Sequence, residues 1–276
     1  MFGHNEVVGQ RFFREVPEAQ AGKLLVTSVF RTIQGEGPHA GCPAVFVRLA
    51  KCQLSCHFCD TYFDSGDWLD FEELLAQMVA ARGEGAAPSD LAVITGGEPT
   101  LQASLGGFIE YLPRRIFTRA QVESNGLLEA RVPPGTCVVV SPKCAERGGR
   151  VTHYLIPSQA ALRRADCLKF VISGDLGSPY ASVPAWALEW RRRTGREIYM
   201  SPMAEYLRTP GTTRALYDAR RAPSMAERVA AEAVSFWESG LLDMGKCRRN
   251  YEHAARYVLE HGLRLTVQMQ LFASLP

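Results

Sequence analysis

Three cysteines, Cys52, Cys56 and Cys59, fall within eight residues in the run Cys52-Gln-Leu-Ser-Cys56-His57-Phe58-Cys59-Asp60. Thiolates are soft ligands that suit zinc or iron–sulfur clusters. Clusters dedicated to electron transfer take four cysteines. Three cysteines in one tight loop can hold three corners of a four-iron cluster and leave one iron open to a small molecule. The same logic separates an open catalytic zinc site from a closed structural one. The rival is a structural zinc ion with His57 as fourth ligand. His57 directly follows Cys56, which makes joint chelation of one tetrahedral ion awkward, and no second C-x2-C pair completes a zinc ribbon.

Of the other cysteines, Cys167 opens an apolar run and reads as a small buried hydrophobe. Cys42, Cys137, Cys144 and Cys247 have no partner spacing and receive no role. A chain of 276 residues, 46% of them hydrophobic, buries a core without disulfide staples. Its start, MFGHNEVVGQRFFREV, lacks the pattern of a secretory signal, and no apolar run is long enough to span a bilayer. A cytoplasmic location is the expectation. The net charge of +2 provides no strong field for nucleic acid or an anionic membrane, and neither is expected as a partner. The short clusters Arg191-Arg192-Arg193 and Arg220-Arg221 read as solvated faces.

Around the cysteine loop and beyond it, apolar β-rich runs recur, each ending in a polar motif. Residues 44–50 lead into the cysteine loop, 91–95 into Gly96-Gly97-Glu98-Pro99, and 121–124 into Asn125-Gly126. Residues 137–140 lead into Ser141-Pro142-Lys143, 168–172 into Ser173-Gly174, and 197–200 into Ser201-Pro202. Runs without alternation suit strands buried on both faces, and helix-like segments are expected between them. One such helix spans 70–82, with Asp70 and Glu73 placed as a capping box. Six such units predict an α/β fold, a partial (β/α)6 barrel with its active site at the carboxyl ends of the strands. Residues 1–23 read as an extension and 24–276 as the main domain. Within it, 204–247 read as a helical insertion near the carboxyl terminus, with a Ser224/Glu227 capping box and Gly240 as a helix stop.

The C-x3-C-x2-C loop with Phe58 before its last cysteine resembles the signature of the radical S-adenosylmethionine (SAM) superfamily. The resemblance implies a 4Fe-4S cluster on Cys52, Cys56 and Cys59. Its open iron binds the amino and carboxylate groups of SAM, and one electron cleaves SAM to methionine and a 5′-deoxyadenosyl radical. Each downstream motif alone has a plain reading: a tight turn for Gly96-Gly97, a turn for Asn125-Gly126, a loop for Ser141-Pro142-Lys143. In this order they resemble the superfamily's SAM contacts. The resemblance then places Phe58, Cys59, Asp60, Gly97, Glu98, Ser141, Pro142, Lys143 and Ser201 around the cofactors, with Glu98 on the amino group of methionine.

The segment Phe30-Arg31-Thr32-Ile33-Gln34-Gly35-Glu36-Gly37, then Gly41, Pro43 and Phe46-Val47-Arg48-Leu49, then Cys59-Asp60-Thr61, closely resembles the 7-carboxy-7-deazaguanine synthases. That family converts 6-carboxy-5,6,7,8-tetrahydropterin to 7-carboxy-7-deazaguanine with loss of ammonia, for queuosine and other 7-deazapurines. The resemblance implies a pterin pocket lined by Ile33, Gln34, Gly35 and Thr95, with Arg48 on the substrate carboxylate. It implies Mg2+ on Thr61, the terminal carboxylate of Pro276 at the substrate, a homodimer, and a flavodoxin- or ferredoxin-like electron donor. No side chain is required as an acid or base. One departure is Gln270, where the family usually has a histidine facing the substrate; glutamine bonds but does not titrate. A glycyl-radical-activating enzyme shares the cysteine spacing, but Q-G-E-G and C-D-T argue against it.

Overall fold

Residues 24–33 alternate little and carry branched or apolar side chains at most positions, which favours an extended, buried strand. In the computed structural model they form β1 (Leu24–Ile33), a strand the runs above did not include. The structure describes residues 4–276 apart from 15–16, 84–90, 148–149, 208–211 and 239. After β1 come β2 (Pro43–Leu49), β3 (Asp67–Leu69), α1 (Phe71–Arg82), β4 (Leu91–Gly96), α2 (Leu105–Tyr111), β5 (Arg119–Ser124) and β6 (Cys137–Val140). A small hairpin, β7 (Cys144–Arg147) and β8 (Arg150–Tyr154), precedes α3 (Gln159–Arg164), β9 (Cys167–Ile172), α4 (Ala185–Thr194) and β10 (Ile198–Pro202). The chain ends with α5 (Thr212–Arg220), α6 (Met225–Ala230), α7 (Met244–His261), β11 (Arg264–Leu265) and α8 (Met269–Phe272).

The main sheet has the order β11-β10-β9-β6-β5-β4-β2-β1-β3. From β2 to β11 every neighbouring pair is parallel, while β1 and β3 are antiparallel additions at one edge. The parallel strands follow chain order, so the winding always advances in one direction, as in a (β/α) barrel, and the two edges do not pair. This is the expected partial barrel: the six sequence-derived strands are β2, β4, β5, β6, β9 and β10, and β11 adds a short seventh.

Period-two alternation assigns the two faces. On β2, Val45, Val47 and Leu49 pack with α1 and α2 through Leu74, Met78, Leu105 and Phe108, while Phe46 and Arg48 face the opposite side. On β9, Leu168, Phe170 and Ile172 pack with Ala187 and Trp190 of α4 and Ala254 of α7, while Lys169 and Val171 face the opposite side. Leu74 and Met78 are fully buried, each stabilising the fold by roughly 2 kcal/mol relative to exposure. The Asp70/Glu73 capping box starts α1 as expected.

Three expectations need correction. The β5–β6 connection holds no helix: residues 127–136 include Pro133-Pro134-Gly135, which removes two backbone donors and favours turn geometry. The Ser224/Glu227 capping box is present, but its helix ends at Ala230, so Gly240 is not its stop. The described residues of 204–247 form α5, α6, a loop and the first turn of α7. Arg220 is not solvated; it is 3% exposed. No helix among the described residues is long and apolar enough to cross a membrane.

Candidate active site

At the carboxyl ends of the strands lies a cleft whose empty space, mouth included, is about 1230 Å³. Cys52, Cys56 and Cys59 all line it, with Phe58, Asp60 and Thr61 of the same loop. So do Gln34, Arg48, Thr95, Gly97, Ser141, Lys143, Ser201 and Gln270 from the rest of the chain.

The cysteine loop is set by close backbone approach. The β2–β4 ladder runs past both strands: Gly97 N–H donates to Leu49 O (2.8 Å) and Glu98 N–H to Lys51 O (2.8 Å). Lys51 turns the chain into the loop with a φ of 73°, a left-handed conformation that costs a side-chain-bearing residue about 1 kcal/mol. A Cβ on Gly97 would stand 2.0 Å from Lys51 O, so only glycine admits this approach. Gly97→Ala is therefore expected to displace the Lys51–Cys52 peptide, lower the melting temperature by the equivalent of about 2 kcal/mol, and reduce iron bound per chain after reconstitution. Thermal unfolding and iron analysis check both. The amino-terminal segment also holds the loop: Val8 N–H donates to Cys52 O (2.9 Å) and the buried Asn5 amide to Thr61 O (2.7 Å).

Burial pushes the Cys52 thiol up to about 12 and raises Cys56 and Cys59 as well. The Cys59 thiolate also disfavours charge on Cys52 and Cys56, and the Lys143 ammonium favours it at all three. Three soft donors facing one space suit a cluster whose own positive charge stabilises the thiolates. Among the described residues, no three His, Cys, Asp or Glu groups converge as one metal ion requires. A four-iron cluster asks less, since each thiolate binds its own iron. His57, the fourth ligand of the zinc alternative, turns away: its Nδ1 lies 3.1 Å from both Glu146 oxygens, and it lines a separate cleft beside Gly174 and Asn250.

Two buried charge groups floor the cleft. In the first, Lys169 Nζ donates to Glu36 Oε2 (2.9 Å) and Glu123 Oε2 (2.6 Å). Gln34 and Gln121 amides each donate to Glu123 Oε1 at 3.0 Å, and Ser201 Oγ donates to Glu36. In the second, Arg48 NH1 donates to Thr61 Oγ1 (3.0 Å), which donates to Asp60 Oδ1 (3.2 Å). Burial pushes the Asp60 carboxyl up, but Arg48, Arg220 and the Gln268 and Thr61 hydrogen bonds outweigh it, and the carboxyl lies below its ordinary value. Sequence reasoning assigned no individual role to Glu36 or Lys169. The signal for Lys169 was a lone cation in the apolar run Cys167-Leu-Lys-Phe-Val-Ile172, at a cleft-facing position of β9.

Five expected site residues do not line the cleft: Ile33, Gly35, Glu98, Pro142 and Pro276. Glu98 is buried and bonded through both carboxylate oxygens. It accepts from Thr100 N (3.0 Å), Thr100 Oγ1 (2.6 Å), Ser124 Oγ (2.8 Å) and Asn125 N (2.7 Å), tying the end of β4 to that of β5. Gly35 instead gives room to α8: a Cβ there would stand 1.9 Å from Gln270 Oε1. That Gln270 oxygen is buried and has no hydrogen-bond partner among the described residues, so α8 points an unpaired acceptor at the site. At the carboxyl terminus, Leu275 N–H bonds back to Gln270 O (3.0 Å), and Pro276 stays outside the cleft.

No family model matches the chain. Its sequence is 35% identical to the 7-carboxy-7-deazaguanine synthase of Rickettsia prowazekii over 187 residues, 67% of this chain and 74% of that one. It is 38% identical to that of Rhodospirillum rubrum over 200 residues, 71% of this chain and 76% of that one. The crystal structure of QueE from Escherichia coli shares the fold, with a TM-score of 0.57 at 21% identity, covering 95% of this chain and 99% of that one. The likeness extends across most of both chains in sequence and nearly all of them in fold, and the chain belongs to the 7-carboxy-7-deazaguanine synthase family.

Proposed function

We propose that this protein is a radical SAM enzyme that converts 6-carboxy-5,6,7,8-tetrahydropterin to 7-carboxy-7-deazaguanine with release of ammonia. One observation carries the reading: a single cleft is lined at once by three cysteine thiols and by the guanidinium of Arg48. When bound on Cys52, Cys56 and Cys59, a 4Fe-4S cluster supplies the electron that cleaves SAM.

The remaining work falls to the chain's own residues. Phe58, which packs edge-on against Tyr180 with centroids 5.1 Å apart, stiffens the loop at the cluster. Gly97, Ser141, Lys143 and Ser201 form the SAM side of the cleft. Lys143 Nζ donates to Ser141 O (2.7 Å) and Oγ (2.6 Å), which fixes both groups at the cofactor wall. Arg48 takes the substrate carboxylate through charge-assisted hydrogen bonds. Gln34, Glu36, Glu123, Thr95 and Gln270 accept from or donate to the pterin ring edges, with Glu36 and Glu123 both bonded to Lys169. Thr61, beside Asp60, offers hard oxygen to Mg2+. Burial of these groups excludes water from reactive species. Residues 24–276 act as one catalytic domain, working as a cytoplasmic homodimer reduced by a flavodoxin- or ferredoxin-like protein. Family resemblance supports the homodimer and the electron donor.

The test is anaerobic incubation of reconstituted protein with SAM, reductant, Mg2+ and the carboxypterin, followed by mass analysis. The expected product has lost ammonia and contracted its ring. SAM cleavage without such a product overturns the reading and favours an activating enzyme for a protein radical.

A further inference from the structure

Arg48 presents one side to the cleft, and what holds its other side comes from the insertion. Glu232 follows α6 and is 5% exposed. One carboxylate oxygen accepts from Ser28 Oγ of β1 at 2.9 Å. The other lies 3.1 Å from Arg48 Nε and 3.7 Å from Arg220 NH1. The Arg48 contact is an ion pair rather than an aligned hydrogen bond. Arg48 lines the cleft and Glu232 does not, so Glu232 holds the guanidinium from behind the cleft wall.

The guanidinium is a rigid plane with an Nε edge and terminal N–H groups. Glu232 engages its Nε edge, Thr61 Oγ1 takes one terminal nitrogen, and the Phe30 ring lies 5.3 Å from its central carbon. These contacts set the plane. A lone carboxylate at this distance would cancel much of the charge on Arg48. Arg220 shares both Glu232 and the nearby Asp60 with Arg48, so two guanidiniums balance the two carboxylates of this group. The insertion that carries Glu232 is itself bolted to β1 and to the loop before β3: Arg228 Nε donates to Thr27 O (2.6 Å) and Tyr217 OH to Asp64 Oδ2 (2.6 Å).

We propose that Glu232 is a positioning residue of the substrate-carboxylate subsite, contributed by the insertion, which orients Arg48 so that its terminal N–H groups meet the carboxylate. This rests on the assignment of Arg48 to that carboxylate. The insertion is then part of the device that tells a carboxylated pterin from one without the group.

The test compares holoenzyme and Glu232→Gln, a variant of nearly equal shape. Equilibrium binding of the carboxypterin, and of the same pterin lacking the 6-carboxylate, is measured on SAM-loaded, unreduced protein, with KM and kcat measured separately. Glu232→Gln is expected to weaken the carboxylated ligand and raise KM roughly 10- to 100-fold, from misplacement of the clamp. The ligand without the carboxylate should bind both proteins alike, and kcat should change little, as for lost ground-state binding. Should Glu232→Gln fail to fold, Ser28→Ala removes only the hydroxyl on Glu232, and a smaller shift in the same direction is expected. Equal weakening of both ligands, or unchanged affinity in a folded variant, overturns the proposal while leaving the function intact. If the wild-type protein binds both pterins equally, the Arg48 assignment falls, and this inference with it.

Discussion

Cys56→Ser is expected to give a folded, colourless protein that retains little iron and no longer cleaves SAM. Cys56 is buried in the cleft-facing loop, and neither of the two large hydrophobic clusters beneath the sheet includes it. Its removal therefore spares the packing that holds the sheet. A serine hydroxyl is a hard, weakly acidic donor, whereas iron in such clusters is held by thiolate. Cys167→Ser is the control. Cys167 is 3% exposed at the start of β9, and its serine variant should keep the cluster and lose about 1–2 kcal/mol of stability through a buried hydroxyl. Iron and sulfide per chain, visible absorbance and thermal unfolding separate the two variants. Wild-type iron content in Cys56→Ser would contradict the assignment of that ligand.

Lys169→Met should cost the most stability of any cleft substitution. Its ammonium is the shared partner of Glu36 and Glu123, with the lysine side chain 7% exposed and each glutamate 15% exposed. Burial pushes the Glu123 carboxyl up, but Lys169 outweighs burial and holds it below its ordinary value. Removing the cation leaves two buried carboxylates facing each other, a loss of about 3–5 kcal/mol and a fall in melting temperature on the order of 10 °C. The sign with pH follows. In the wild type, a lowered Glu123 contributes stability above its unfolded value and loses it as pH falls through the folded one. In Lys169→Met, the paired carboxyls are raised and regain stability as they protonate, so the gap to wild type narrows as pH falls. A constant gap across that range would show that the pair is not ionised.

The six parallel strands were legible because buried runs of branched residues each ended in a polar motif. The cleft was legible because those motifs fall at the carboxyl ends. What escaped was long-range pairing. Lys169 reads as an anomaly in an apolar run until β9 is seen to face Glu36 of the β1–β2 connection and Glu123 of β5. Arg220 and Glu232 lie in helices and loops whose local pattern says surface, yet they meet Arg48 and Asp60 across the fold. Glu98 stands in a motif that points to a ligand, and in the fold its carboxylate also ties the end of β4 to that of β5. The antiparallel β1 was missed because its segment was read for motif rather than for periodicity. No local rule announces that the β5–β6 connection dispenses with a helix, although Pro133-Pro134-Gly135 is consistent with it.

Electron paramagnetic resonance of the reduced, reconstituted protein, with and without SAM, reads the open cluster corner most directly. The account predicts a four-iron signal that changes shape on addition of SAM and that is absent in Cys56→Ser. A signal indifferent to saturating SAM, or a protein that takes up zinc and no iron, would contradict it.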